Sequence, residues 1–192
     1  MLYYERTFAK KGYSLIAGVD EAGRGPLAGP VVSAAVILKS SRFENRINDS
    51  KVLTARQREN AYREITDKSF FAVGIVNHRI IDKINILQAS LLSMRKAIER
   101  ISPAPELVLV DGNAPLSISI PCKNIIGGDG KSLSIACASI VAKVTRDRIM
   151  AGFHKIWPEY NFISHKGYGT KEHRDILKAI GPSPIQRLSF RL

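Results

Sequence analysis

The chain has 192 residues, 29 lysines and arginines against 17 acids, and a formal charge of +12 at pH 7. With 45% hydrophobic and 24% charged residues it can bury a core, which excludes a disordered chain; a single domain over residues 1–192 is expected, with 171–192 as a C-terminal helix and tail. No apolar run approaches the roughly 18 to 20 residues of a membrane span and residues 1–6 hold no apolar signal core, so a cytoplasmic protein without a membrane partner is expected, and two cysteines outside any Cys-x-x-Cys pattern exclude a disulfide scaffold and a thiolate metal site.

Residues 14–19 and 31–38 are apolar, β-branched runs separated by a Gly/Pro-rich turn, and they predict two adjacent strands. Thr54 opens a charged stretch reaching Asp67 that suits an exposed helix with Thr54 as its N-cap. Residues 69–77, with Phe70, Phe71, Val73, Ile75 and Val76, predict a third strand. Over 82–101 apolar residues fall at Ile84, Leu87, Leu91, Met94 and Ile98, the spacing of a helix with one buried stripe, and Pro103 and Pro105 stop it. Residues 106–110 predict a short strand whose run from Leu107 to Val110 is apolar throughout, as in a strand covered on both faces. A long helix over 132–150 and a more polar one over 171–180 complete an α/β protein with helices packed on a mixed sheet.

The basic surplus favours polyanionic partners such as nucleic acid. It is uneven: from Lys143 onward ten basic residues face four acids. The acids are more specific. Two apolar strands run into Asp20-Glu21 and into Asp111-Gly112-Asn113, and Ile125-Ile126-Gly127-Gly128 leads to Asp129. Sites in α/β sheets form at the carboxyl ends of strands, so these acids can converge in one cleft. Clustered carboxylates repel unless a cation neutralises them, and hard divalent ions do so through oxygen ligands. A pair of such ions about 3.5 to 4 Å apart can activate water and stabilise the leaving oxygen of a phosphodiester. The plainer alternative for each acid is a turn former or helix cap.

Two glycine-rich runs mislead. Gly23-Arg24-Gly25-Pro26-Leu27-Ala28 matches a dinucleotide fingerprint in letters, but a strand follows it where a helix is needed. Gly130-Lys131-Ser132 resembles the end of a P-loop, but Ile125 stands where the first glycine is required.

Residues 20–32, Asp-Glu-Ala-Gly-Arg-Gly-Pro-Leu-Ala-Gly-Pro-Val-Val, resemble the signature of the ribonuclease HII family almost letter for letter. The similarity continues through Asn48-Asp49-Ser50-Lys51, Asp111-Gly112-Asn113, residues 138–147 and His165-Lys166-Gly167-Tyr168, covering about 16–190 in order. The sister type, ribonuclease HIII, usually departs from the Gly-Arg-Gly pattern and carries an extra N-terminal domain, so HII is favoured. The resemblance implies a ribonuclease H-like fold, a mixed five-stranded sheet flanked by helices. It implies an endonuclease that cuts the RNA strand of RNA–DNA hybrids and incises 5′ to single ribonucleotides in duplex DNA, leaving 3′-hydroxyl and 5′-phosphate ends with Mn²⁺ or Mg²⁺ as cofactor. Its partners are therefore hybrids and ribonucleotide-containing duplexes, and a monomer is expected.

By the same resemblance the metal-binding and catalytic carboxylates map onto Asp20, Glu21 and Asp111, with Asp129 as the fourth. Asp147 is the alternative fourth, although it lies four residues from Lys143 on the predicted helix and can simply pair with it. The ribose 2′-hydroxyl must be read, and the resemblance gives this to the backbone of Gly23, Arg24 and Gly25 together with Tyr168; glycines allow close main-chain approach, and a tyrosine can stack and hydrogen-bond. Ser139, Lys143 and Arg146 share one helical face expected to hold phosphates, with Lys51 and Lys166 reaching from loops; a solvated basic face is the plainer alternative. His165 is expected near the substrate. Cys137 and Gly130 depart from the family's usual residues without removing an expected ligand. Gln186-Arg187-Leu188-Ser189-Phe190 loosely resembles a sliding-clamp peptide but matches a structural tail element of the family. Two competing readings are a non-catalytic nucleic-acid-binding module and a metal nuclease acting on DNA junctions.

Overall fold

The computed structural model describes residues 1–191. Five strands form one sheet: β1 (Ile16–Ala22), β2 (Val31–Leu38), β3 (Ser69–Val76), β4 (Leu107–Asp111) and β5 (Cys122–Ile125), in the order β3-β2-β1-β4-β5. β1 pairs antiparallel with β2 and parallel with β4; β2 pairs antiparallel with β3, and β4 parallel with β5. The helices are α1 (Tyr3–Ala9), α2 (Ala55–Lys68), α3 (His78–Arg100), α4 (Leu133–Ile156), α5 (Phe162–His165) and α6 (Lys171–Ile180). The expected mixed five-stranded α/β architecture is present. No helix among the described residues is long and apolar enough to cross a membrane.

Strand alternation builds two cores. Ala34 and Val36 of β2 pack with Ala138, Ile140 and Val141 of α4 and with Ala61 and Ile65 of α2. Their neighbours Ala35 and Ile37 point the other way, joining Ala17 and Val19 of β1, Val108 and Val110 of β4, and Met94, Ala97 and Ile98 of α3. α4 therefore covers one face of the sheet and α3 the other.

Several boundaries differ from expectation for local reasons. α3 begins at His78 rather than 82, because the Asn77 side chain accepts from the Ile80 amide, and it breaks at Asn85 (φ 64°), whose side chain accepts from the Gln88 amide. Its buried face keeps Met94 and Ile98 of the expected stripe but not Leu87. Leu87 is 40% exposed, whereas Ser90, Ser93 and Ala97 are buried and let the helix approach β3 closely. α4 runs six residues past the expected end, and α1 was not foreseen; Glu5 of α1 accepts from the Ser134 amide and from the hydroxyls of Ser132 and Ser134 at the start of α4. Thr54 does cap α2, with Gln57 completing a capping box.

Glu64 of α2 ties down the preceding loop. Its carboxylate accepts from the Glu44 and Asn45 amides, the Asn45 side chain and Lys68. Burial opposes its ionisation, but the bonds from Lys68, Asn45 and Glu44 outweigh it and hold the carboxyl at about 2. Its contribution to stability is thus complete above the ordinary carboxylate range and disappears as pH falls toward 2. Glu64→Gln is expected to cost roughly 1–3 kcal/mol in urea unfolding at pH 7, with the gap from wild type narrowing below pH 4.

Candidate active site

The register that pairs Gly18 with Leu109 brings the next same-face residues of the parallel strands, Asp20 and Asp111, side by side at their carboxyl ends. Both share the α4 face, since Leu109 packs against Ile135 of α4. Asp129 reaches the same point from a 3₁₀ turn (Gly128–Gly130) between β5 and α4. One carboxylate oxygen from each of Asp20, Asp111 and Asp129 lies within 4.8 Å of the other two. The turn is fixed by the Gly128 amide, which donates to Asp111 Oδ1 at 2.6 Å, and by the Lys131 and Ser132 amides, which donate to the Gly128 carbonyl.

Glu21 occupies the α3 face of β1, where it meets the Arg24 guanidinium at 3.4 Å and still feels the charge of Asp111. Burial, then Glu21 and Asp111, raise the Asp20 carboxyl well above its ordinary range, against hydrogen bonds from Ser139 and the Glu21 amide. Burial raises Glu21 as well, and burial with Asp49 and Asp111 raises Asp129. Lys51 Nζ stands 3.8 Å from Asp129 and 3.9 Å from Asp49. Asp49 and Ser50 were given no role from sequence; Ser50 is buried with its hydroxyl 3.0 Å from that of Ser139. An all-oxygen set in which Asp20, Glu21 and Asp129 are held above their ordinary range, with one exposed lysine nearby, fits a hard divalent cation.

Asp147 stands apart. It accepts from Lys143 at 2.8 Å, the i,i+4 pairing that competed with a metal role. Ser139 is 4% exposed and turns toward Asp20 and Ser50. Arg146 requires a correction: it is fully buried, and its guanidinium donates to the carbonyls of Ala28, Pro30 and Lys166, so it presents no phosphate-binding face. Spacing identified its side of the helix, but that side faces the Gly/Pro-rich turn. Lys166 donates to the Ile163 carbonyl.

The Gly-Arg-Gly turn and Tyr168 come together: a Cβ on Gly25 would lie 4.0 Å from the Tyr168 ring. Tyr168 is 40% exposed, with Lys143 Nζ 5.6 Å from its ring centre. His165, expected near the substrate, has both ring nitrogens occupied within the protein. It is buried, stacked on His173 at 4.2 Å, and bonded to the Tyr160 carbonyl and the Gly167 amide. In the tail, Arg187 is buried and Phe190 packs on the α4–α6 cluster, leaving Leu188 as the exposed apolar residue of the clamp-like run.

The family model for ribonuclease HII matches residues 17–192. The chain belongs to the ribonuclease HII family. It is 48% identical over 189 residues to ribonuclease HII of Geobacter sulfurreducens, covering 98% of this chain and 87% of that protein. Among solved structures it is similar to ribonuclease H2 of Pyrococcus horikoshii (TM-score 0.76, 26% identity, 93% of this chain and 94% of that one). It is also similar to ribonuclease HII of Archaeoglobus fulgidus in a complex with PCNA (TM-score 0.77, 25% identity, 93% and 96%). As a ribonuclease H the chain is a metal-dependent nuclease acting on RNA–DNA hybrids, and its acidic cluster suits Mg²⁺ or Mn²⁺.

Proposed function

We propose that this ribonuclease HII incises DNA duplexes on the 5′ side of embedded single ribonucleotides as well as cutting hybrid tracts, releasing 3′-hydroxyl and 5′-phosphate ends by two-metal catalysis. The observation that carries the reading is the convergence of Asp20, Asp111 and Asp129 within 4.8 Å, on the same molecule as a glycine turn lying against Tyr168. Asp20, Asp111 and Asp129 would hold the cations, with Glu21 completing the set from the opposite face of β1. The ions, when bound, supply an activated water and charge stabilisation for the leaving 3′-oxygen.

The chain's own residues do the rest. Gly23 and Gly25 admit the main chain close to the sugar, where amides can meet a 2′-hydroxyl, and the Tyr168 ring stacks on the neighbouring sugar or base. Lys51 stands beside Asp129, where it offsets carboxylate charge and can donate to a phosphate oxygen. The +12 surplus draws the duplex toward a locally negative centre. The Gln186–Phe190 run supports a structural tail: a clamp contact like that of the archaeal protein would have Leu188 alone as an exposed apolar anchor.

The test is an end-labelled duplex with one ribonucleotide, incubated with and without Mg²⁺ beside an all-DNA control. Metal-dependent incision 5′ to the ribonucleotide is expected; cutting of the control at equal rate would reject the reading. A second measurement addresses the acids. Because Asp20, Glu21 and Asp129 are held above the ordinary range, protons compete with the cation, so Mn²⁺ affinity is expected to fall as pH drops toward 5. Calorimetric titration in two buffers of different ionisation enthalpy should reveal proton release on binding; identical apparent heats would contradict it.

A further inference from the structure

Two buried guanidiniums lie beneath the turn from Gly23 to Pro30. Arg187 donates to the carbonyls of Gly23 (2.6 Å), Arg24 (3.0 Å) and Gly29 (2.9 Å). Arg146 donates to Ala28 (3.1 Å) and Pro30 (3.0 Å), and its remaining nitrogen donates to the Lys166 carbonyl (3.0 Å) in the loop that carries Tyr168. Five carbonyls of one turn are thus drawn inward, and one guanidinium spans both loops. The Leu27 and Ala28 amides complete the seam by donating to the Gly167 carbonyl. Arg187 is 1% exposed and Arg146 is fully buried.

Stability alone is a poor account of this arrangement. Burying a cation costs several kcal/mol and is offset best by a carboxylate, yet all six hydrogen bonds of the two arginines go to backbone carbonyls, with the Tyr168 ring (5.7 Å from Arg146) and the Phe190 ring (5.0 Å from Arg187) beside them. What the forked donors provide is geometry, since five directed bonds fix the path of a turn that has little secondary structure of its own, and a sixth ties it to the Tyr168 loop. With the carbonyls of Gly23 and Arg24 held inward, the exposed side of the turn at Arg24 and Gly25 is left to its amides, next to Tyr168.

Resting on the proposed incision at ribonucleotides, we propose that Arg146 and Arg187 are positioning residues that lock the Gly23–Gly25 turn and Tyr168 into one rigid sugar reader, so that discrimination at the 2′ position depends on their hydrogen bonds while metal binding does not. The variants are Arg146→Lys and Arg187→Lys, which keep the charge and lose the divergent donors. The readout is the ratio of kcat/KM on a duplex carrying one ribonucleotide to that on the same duplex carrying one 2′-fluoro nucleotide. Mn²⁺ affinity by calorimetry and a melting curve accompany it. A fall in the ratio of at least tenfold, with Mn²⁺ affinity within threefold of wild type, is expected.

A purely structural role lowers both substrates in proportion and leaves the ratio unchanged, which would overturn the proposal. Gly167→Ala strains the seam while leaving both arginine side chains in place, because its Cβ would lie 2.6 Å from the Ala28 carbonyl oxygen that Arg146 also holds; it is expected to lower the same ratio. Failure of all three variants to fold would assign the arginines to stability and also overturn the proposal. A wild-type protein that does not incise at ribonucleotides would instead reject the proposed function, a result visible before any variant is made.

Discussion

Asp111→Asn is expected to slow incision by about 10²–10³-fold while making the metal-free protein more resistant to heat. Both effects have one source. The carboxylates of Asp20, Asp111 and Asp129 crowd within 4.8 Å, and Asp111 is among the charges that raise Asp20 and Glu21. Asparagine keeps the oxygen that accepts from the Gly128 amide, so the turn that carries Asp129 stays anchored. It removes the repulsion and with it a metal ligand. Relief of roughly 1 kcal/mol corresponds to about 3 °C in melting temperature at this chain length.

Metal reverses the order. Wild type should gain roughly 2.7 kcal/mol at a cation concentration of 100 times Kd, and the variant much less, so the two melting curves cross on adding Mn²⁺. Hybrid affinity, measured by fluorescence anisotropy at fixed salt, should stay within a few-fold because the basic surface is untouched. Wild-type turnover in the variant, or a metal-free melting temperature below wild type, would contradict this account of the site.

Much of this centre was legible in the chain because its parts obey short-range rules. The runs ending at Asp20 and Asp111 are apolar at nearly every position, as two-faced burial requires, and a strand's period of two decides which acid faces which layer. That same period separates Glu21 from Asp20, a consequence that the adjacency of two acids in sequence conceals. Tertiary register brings Asp129 and not Asp147 beside Asp20 and Asp111: β5 sits beside β4 and delivers Asp129, while Asp147 pairs with Lys143 one helical turn away.

What stayed hidden depends on partners distant in sequence. Arg146 lies on the expected side of its helix, but only the packed Gly/Pro-rich turn shows that this side is interior. α1 is short and its anchor, Glu5, bonds to residues more than 120 positions away. On α3 the predicted stripe holds at Met94 and Ile98, but the part played by Ser90, Ser93 and Ala97, small residues that permit close approach to the sheet, carries no hydrophobic signal. Asp49 and Ser50 sit in a loop, and it is tertiary packing that brings them to Asp129 and Ser139.

Gly18→Ala is expected to be the most damaging single methyl in the molecule for the metal centre. A Cβ at this position of β1 would fall 2.1 Å from the Ser134 carbonyl carbon and 2.3 Å from the Ile135 nitrogen. These are backbone atoms in the first turn of α4, so no rotamer change relieves the contact and the helix must retreat from the sheet. Its N-terminus is continuous with the turn bearing Asp129, through the Ser132 amide bond to Gly128. Retreat of α4 therefore draws Asp129 away from Asp20 and Asp111.

A loss of about 3 kcal/mol or more is expected, near 10 °C in melting temperature, with Mn²⁺ affinity at least tenfold weaker in the protein that remains folded at low temperature. Gly74→Ala separates the two effects. Its Cβ would lie 1.9 Å from the Ser93 carbonyl oxygen of α3 on the opposite face of the sheet. It should destabilise by a similar amount, yet α3 carries none of the three clustered acids, so Mn²⁺ affinity should stay within threefold of wild type. Equal loss of metal affinity in both variants would show that global stability, and not the seat of α4 on Gly18, holds the three carboxylates together.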